Sequence, residues 1–206
     1  KLKLNRDNKD CWIYYWAANP STDPLKINSA DIAYGKSENH SLGKTNSNGD
    51  IDIVLNVPQI YYENVDDTEK TYCRHFHYII ENKSDEIWSD MRTHRVISYI
   101  SEDLFKKVLA KKNMIVINAL DKKHFKNYKI PDTVNLPYTG FPKKIDKKHK
   151  LVKEFLLSVI NKYPKIKNEY DENEISIENI PIITYCANSG CDASKKLVDE
   201  LYKAGF

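Results

Sequence analysis

Apolar and polar positions change their rhythm near residue 96. Before it they alternate. Ile51, Ile53, Leu55 and Val57 are interleaved with Asp50, Asp52 and Asn56, a two-residue period that gives a strand one buried and one wetter face. Trp12–Trp16 and His75–Ile80 predict two further strands. Asn19-Pro20, Gly35, Gly43 and Asn48-Gly49 supply turn chemistry between such segments. No 3.6-residue stripe interrupts this half. Residues 1–96 are therefore expected to form an all-β antiparallel sandwich, with Trp88 and other aromatics in its core.

From Ile97 onward, strand and helix patterns take turns. Ser101 is placed to cap a helix carrying Leu104, Phe105, Val108 and Leu109, with Glu102 and Asp103 in its first turn. Met114–Ile117 predicts a buried strand and Val134–Leu136 a short one. Leu151, Phe155, Leu156, Val159 and Ile160 mark a long amphipathic helix. Lys165–Asn179, charged and read as almost without large apolar residues before Ile175, is expected to be an inserted loop. Ile182–Tyr185 gives a last strand, and Leu197, Val198, Leu201 and Tyr202 a helix that closes at Gly205. This order predicts an α/β domain over residues 97–206, with a central, mostly parallel sheet flanked by helices.

Composition narrows the function classes only a little. A net charge of +3 and a pI near 8.5 are too weak to imply nucleic acid. The basic run Lys143, Lys144, Lys147, Lys148, His149 and Lys150 is read as a solvated helix start. No apolar stretch approaches a membrane span. The abundance of lysine and asparagine is read as compositional bias without function. The chain opens on Lys1, which leaves a preceding leader or anchor open, and it stops at Phe206 directly after a helix, as a cut chain would. Four cysteines do not make a disulfide scaffold. The expected compartment leans to the cytoplasm, with an oxidising particle or secretion left open. In those two settings Cys11 and Cys73, in neighbouring strands, would be able to pair.

Cys186 carries the strongest chemical signal. It stands where the last strand runs into the last helix, in Tyr185-Cys186-Ala-Asn-Ser-Gly-Cys191-Asp-Ala-Ser194. Backbone N–H groups of Ala187, Asn188, Ser189 and Gly190 are expected to converge on its sulfur, with the positive end of the helix dipole behind them. That surrounding lowers a thiol pKa and stabilises a thiolate, or an anion carried on it. Cys191, five residues on, is read three ways: as the partner in a reversible disulfide, as the group that resolves a persulfide, or as a small residue packing at the helix start. A buried, inert thiol is the alternative for Cys186. His75 and His77, two apart on a strand, would project both imidazoles from one face, an arrangement suited to a metal once other ligands arrive.

Three segments of the second half resemble, in order, the rhodanese (sulfurtransferase) homology domain: Ile115-Val-Ile-Asn-Ala-Leu-Asp-Lys-Lys-His-Phe125, Tyr128-Lys-Ile-Pro-Asp-Thr-Val-Asn-Leu-Pro137, and Tyr185-Cys186 through Phe206. The resemblance implies that Cys186 accepts sulfur as a persulfide and that the loop amides steady it, with no cofactor required. Asn118 and Leu120 replace the family's aspartate and arginine, and Asp132-Thr133 replaces its Gly-Ala. Asp192 stands where phosphate-handling relatives carry arginine, so phosphatase activity is not expected. In the first half Asn46–Asp50, Pro58, Tyr62 and Arg74-His75-Phe-His77 resemble the core of intradiol ring-cleaving dioxygenases, a β-sandwich that binds ferric iron through two tyrosines and two histidines. By that resemblance Tyr62, His75 and His77 would be ligands, with Tyr34 a loose substitute for the second tyrosine.

The leading expectation is a thiol sulfurtransferase or thiol-redox protein acting at Cys186, with a small-molecule or protein thiol as sulfur donor and acceptor. Two alternatives stand beside it. One is a noncatalytic structural or interaction protein that keeps both folds in degenerate form. The other is a non-haem iron dioxygenase.

Overall fold

The computed structural model describes residues 1–21, 29–65, 68–84 and 87–206. The chain divides into two compact units, Lys1–Leu104 and Phe105–Phe206. Secondary structure is mixed α/β, with antiparallel sheets in the first unit and a separate parallel sheet in the second. The change of hydrophobic period at residue 96 precedes the division, which falls within a helix.

The described residues of the first unit open with β1 (Leu2–Lys3), followed by β2 (Trp12–Ala17), α1 (Ala30–Tyr34), β3 (His40–Lys44) and β4 (Asp50–Ile51). Then come β5 (Tyr61–Val65), β6 (Thr68–Tyr72), β7 (His75–Asn82), β8 (Ile87–Trp88) and β9 (Arg92–Arg95). Strand β2 pairs antiparallel with β3 and β7, and β7 pairs with β8 and β9. Two ribbons, β1–β4 and β5–β6, stand apart from this sheet. Alternation sorts the two central strands. Ile13, Tyr15 and Ala17 of β2 and Phe76, Tyr78 and Ile80 of β7 form one buried cluster, which leaves Tyr14, Trp16, His75, His77 and Ile79 to the other face.

Several expectations for this unit need correction. The alternating run after Asp50 pairs only at β4; beyond Ile51 the chain is extended but forms no ladder. Its alternation reports burial only as far as Leu55: Ile51, Ile53 and Leu55 pack on the core, while Val57, expected on the same face, is 56% exposed. In place of a neighbouring strand, buried Asn39 holds this segment. Its amide accepts from Asn56 N–H at 2.9 Å and donates to Asn56 C=O at 3.0 Å and Ala18 C=O at 2.8 Å. Nor is the unit all β. Ser29 caps α1 by accepting from Ile32 N–H, and the Glu63 side chain accepts from Ala30 N–H. Five residues are too few to show a helical stripe in the sequence. Trp88 is 45% exposed on the two-residue β8 rather than core. Cys11 and Cys73 do not pair. Ile13 faces Ile80 and Ala17 faces Phe76, so the two cysteines lie at opposite ends of the β2–β7 ladder. That is roughly 30 Å of strand, far beyond the reach of about 7 Å for a disulfide. All four cysteines are free.

In the second unit β10 (Ile115–Asn118) runs between β11 (Val134–Asn135) and β12 (Ile182–Tyr185), all parallel. The helices are α2 (Glu102–Lys111), which carries the division between units, α3 (Lys122–Tyr128), α4 (Ile145–Val159), α5 (Pro164–Asp171) and α6 (Ala193–Lys203). Ser101 caps α2 as its position suggests. Strand β10 is buried along its whole length. Its isoleucines pack with Val152 and Leu156 of α4 and Leu197 and Leu201 of α6.

Two readings change here. The segment expected to be a loop starts with α5, which has Pro164 at its first turn and Ile166 buried in the core. Ile166 and Tyr170, four apart, are the short stripe that its charged neighbours obscured. The basic run is not wholly solvated either. Lys148 is 8% exposed and forms an ion pair with Glu200 of α6, so one lysine of the run ties α4 to α6.

Asn39→Ala would leave the Asn56 N–H and the Asn56 and Ala18 carbonyls without their partner. We expect a loss of about 2–4 kcal/mol in unfolding free energy, measured by urea denaturation. A loss below about 0.5 kcal/mol would show that water replaces the amide without cost.

Candidate functional site

Parallel pairing brings the C-terminal ends of β10 and β12 side by side, with Asn118 opposite Tyr185. Loops leaving that edge carry the chemistry, as is common in parallel α/β sheets. Asn118 is buried, and its side chain accepts from Leu120 N–H at 2.9 Å. Asn135 donates to the carbonyls of Asn118 and Leu120. These amides fix the turn after β10. Tyr185 fixes the next one: its hydroxyl accepts from Ile130 N–H at 3.1 Å and lies 2.9 Å from Thr133 Oγ1. Asp132 takes the left-handed backbone (φ 60°) at the position where the resembled motif has glycine. The residue just before Cys186 is thus anchored at both backbone and ring.

The loop after Tyr185 then curls back on itself. Asn188 C=O accepts from Cys191 N–H at 3.1 Å, and Asn188 Oδ1 accepts from Gly190 N–H at 3.0 Å. Cys186 Sγ consequently sits 3.1 Å from Cys191 C=O, 3.4 Å from Ser194 Oγ and 4.0 Å from Asn188 C=O. All three oxygens are acceptors for its single hydrogen. Two loop amides are spent inside the turn: the Asn188 side chain takes that of Gly190, and the Asn188 carbonyl takes that of Cys191.

Cys191 lies two residues before α6. The Ala193 amide first, then the Cys186 thiol and the Ala187 amide, hold its thiol below the ordinary cysteine range, against burial and the nearby Asp192 charge. Lys196 blunts that opposition through an ion pair with Asp192 at 2.9 Å. Ala187, Asn188, Ser189 and Gly190 line the outer side of the loop, all four of them exposed. Ser194, which no pattern in the sequence singled out, joins the site because the first turn of α6 turns it toward Cys186. Its carbonyl also accepts from Thr184 Oγ1.

In the first unit His75 and His77 do share a face, their rings 4.8 Å apart. His75 Nδ1 lies 2.7 Å from the Cys73 carbonyl. A carbonyl only accepts, so Nδ1 carries the hydrogen, and Nε2 accepts from Tyr34 Oη at 3.1 Å. Tyr34 is hydrogen-bonded to Tyr61, and Tyr61 stacks on Tyr72. Strand alternation puts Tyr62 on the face of β5 opposite Tyr61. The tyrosines gathered beside the histidines are accordingly Tyr34, Tyr61 and Tyr72.

Burial, then the His75 charge, pushes His77 down to about 4, and burial lowers His75. Burial also raises Tyr34 and Tyr61, so both keep their protons. Arg74, adjacent in sequence, is committed to the Pro58 and Tyr99 carbonyls and to Ser98. Among the described residues no three His, Cys, Asp or Glu side chains converge as a metal would need. A metal here would have to draw on tyrosinate. Two neutral imidazoles and two phenols form a donor set that suits ferric iron once the phenols ionise. The anchored Nδ1 of His75 is the orientation such a ligand needs.

Comparison with known proteins returns no family model, no curated protein and no solved structure that matches the chain at a significant level. No helix among the described residues is long and apolar enough to cross a membrane.

The alkylation rate of Cys191 by iodoacetamide is expected to reach half its maximum at a pH below the ordinary cysteine value of about 8.5. Because its pKa is depressed, reactivity persists as pH falls toward that midpoint and is lost only below it. Peptide-resolved mass spectrometry across a pH series gives the midpoint. Half-maximal reaction at or above the free-cysteine value would contradict this assignment of charge.

Proposed function

We propose that the second unit is a rhodanese-like thiol sulfurtransferase, or a thiol-redox module of the same kind, working through Cys186. One observation carries this reading. Two cysteines share one strand–loop–helix turn, where the Cys186 sulfur lies 3.1 Å from the Cys191 carbonyl and 3.4 Å from Ser194 Oγ, and the Cys191 thiol is held below its ordinary range, first by the Ala193 amide. The order of the three rhodanese-like segments supports it, as does the parallel β11–β10–β12 sheet.

The chemistry rests on these contacts. Cys186 gives up its proton. Its sulfur attacks the outer sulfur of a thiosulfate-class donor, and sulfite leaves with the electrons of the broken S–S bond. Cys186 then holds a persulfide. A thiol acceptor takes the outer sulfur and returns the thiolate. Intact mass after incubation with thiosulfate is expected to rise by about 32 Da, one sulfur, in wild type and not in Cys186→Ser. If several donors leave the Cys186 peptide unchanged, the reading fails.

A second reading rests on the first unit, whose aromatic face and His-x-His strand support an intradiol-dioxygenase-like core. His75, His77, Tyr34 and Tyr61 would hold a ferric ion, which supplies Lewis acidity at the cluster. Both phenols must first give up protons that burial retains, so binding is expected to be weak and to strengthen as pH rises. Ferric titration is expected to produce a visible tyrosinate charge-transfer band that Tyr34→Phe diminishes. A colourless, iron-free protein at saturating ferric citrate would end this reading.

A further inference from the structure

The three oxygens around the Cys186 sulfur differ in what they can give back to it. The Cys191 carbonyl lies 3.1 Å away, the Ser194 hydroxyl 3.4 Å and the Asn188 carbonyl 4.0 Å. While the thiol keeps its hydrogen, any of them can accept it. Once that hydrogen is gone, the two carbonyls have nothing to donate, and their negative ends face the charge. Of the three groups, the hydroxyl alone carries a hydrogen, and it turns about its C–O bond to aim that hydrogen at the sulfur. The strand that carries Cys186 also places this hydroxyl. Thr184, two residues before Cys186 on β12, donates from Oγ1 to the Ser194 carbonyl at 3.1 Å. Ser194 is the second residue of α6, whose Leu197 and Leu201 are fixed in the core. Strand and helix together therefore hold sulfur and hydroxyl at one spacing.

We propose that Ser194 is a catalytic residue of this site, which donates a hydrogen bond to the Cys186 sulfur whenever that sulfur carries negative charge. The proposal rests on the sulfurtransferase reading and names the group that serves both of its steps. In the first step the Cys186 thiol loses its proton to solvent, and the thiolate attacks the outer sulfur of thiosulfate. A bond forms between that sulfur and Cys186, the S–S bond of thiosulfate breaks, and sulfite leaves with the electron pair. In the second step an acceptor thiolate attacks the same outer sulfur. Its bond to Cys186 breaks, and the electron pair returns to the Cys186 sulfur as a thiolate. Ser194 keeps its own proton throughout. Its O–H faces the sulfur before the first attack and again as the thiolate departs. A hydrogen bond to a charged sulfur is stronger than one to a neutral thiol, so the contact favours the ionised state in both steps.

The test compares the full chain with Ser194→Ala and Ser194→Thr, each checked for folding by circular dichroism, in two assays. The first is alkylation by iodoacetamide near neutral pH, read at each cysteine by fragment-ion mass spectrometry, and it needs no sulfur donor. Ser194→Ala is expected to slow alkylation of Cys186 roughly fivefold and to leave Cys191 at the wild-type rate. Ser194→Thr, which keeps the hydroxyl, is expected to restore Cys186. The second assay loads sulfur from thiosulfate and follows its loss to excess glutathione by intact mass. Ser194→Ala is expected to release that sulfur roughly tenfold more slowly, and Ser194→Thr near the wild-type rate. Wild-type rates for Ser194→Ala in either assay overturn the proposal. Equal slowing at Cys186 and Cys191, or a Ser194→Thr as slow as Ser194→Ala, makes the loss structural and overturns it as well. If no form takes up sulfur, the sulfurtransferase reading falls and the two steps fall with it, while the alkylation assay still decides whether the hydroxyl supports the Cys186 thiolate.

Discussion

A backbone amide or carbonyl that leaves a ladder inside a protein must find another partner or cost about 1–3 kcal/mol, and asparagine side chains answer that need throughout this chain. Asn39 holds the extended segment at Asn56 where no strand does. Asn118 and Asn135 close the turn after β10. The Asn188 side chain takes the Gly190 amide of the cysteine loop. An amide side chain both donates and accepts, so it can stand in for a missing strand residue. The edge from which Cys186 emerges has its shape because these groups are paired. Abundant asparagine, read from composition as bias alone, is structural at these positions.

The same pairing governs the chemistry. A loop has only as many free N–H groups as its internal turns leave over. Asn188 uses those of Gly190 and Cys191, through its side chain and its carbonyl in turn. The Ala193 amide, with the Ala187 amide behind it, lowers the thiol of the second cysteine of the loop. A loop without the Asn188 side chain would free the Gly190 amide. In the first unit burial acts in the opposite direction. It keeps His75 and His77 neutral and Tyr34 and Tyr61 protonated, leaving a hydrogen-bonded aromatic cluster that an ion must strip of protons to enter.

Legibility varied with the range of the forces involved. The Trp12–Trp16 and His75–Ile80 strands and the closing helix were visible through an unbroken period, and Met114–Ile117 and Ile182–Tyr185 as short apolar runs. Helix α1, five residues held by Ser29 and Glu63, left no period to see. Helix α5 showed only Ile166 and Tyr170 among charges. Trp88 looked like core because it is large and apolar, yet β8 is a two-residue edge with little to cover it. At the candidate sites Cys186, Cys191, His75 and His77 were legible because their chemistry is unusual at that spacing. Ser194, Tyr61 and Asn39 were not, since common residues acquire such roles only through neighbours remote in sequence.

The sequence by itself determined the two regimes of periodicity, the strand-to-helix setting of Cys186, and the shared face of His75 and His77. All three rest on local backbone geometry, in which a two-residue or 3.6-residue repeat fixes direction. Tertiary structure alone decided the rest. It chose Tyr61 over Tyr62 for the histidine face through the β5–β6 register, and it separated Cys11 from Cys73 by the antiparallel alignment of β2 and β7. Each of these depends on which groups meet across long stretches of chain, and hydrogen bonds and burial are settled only where they meet.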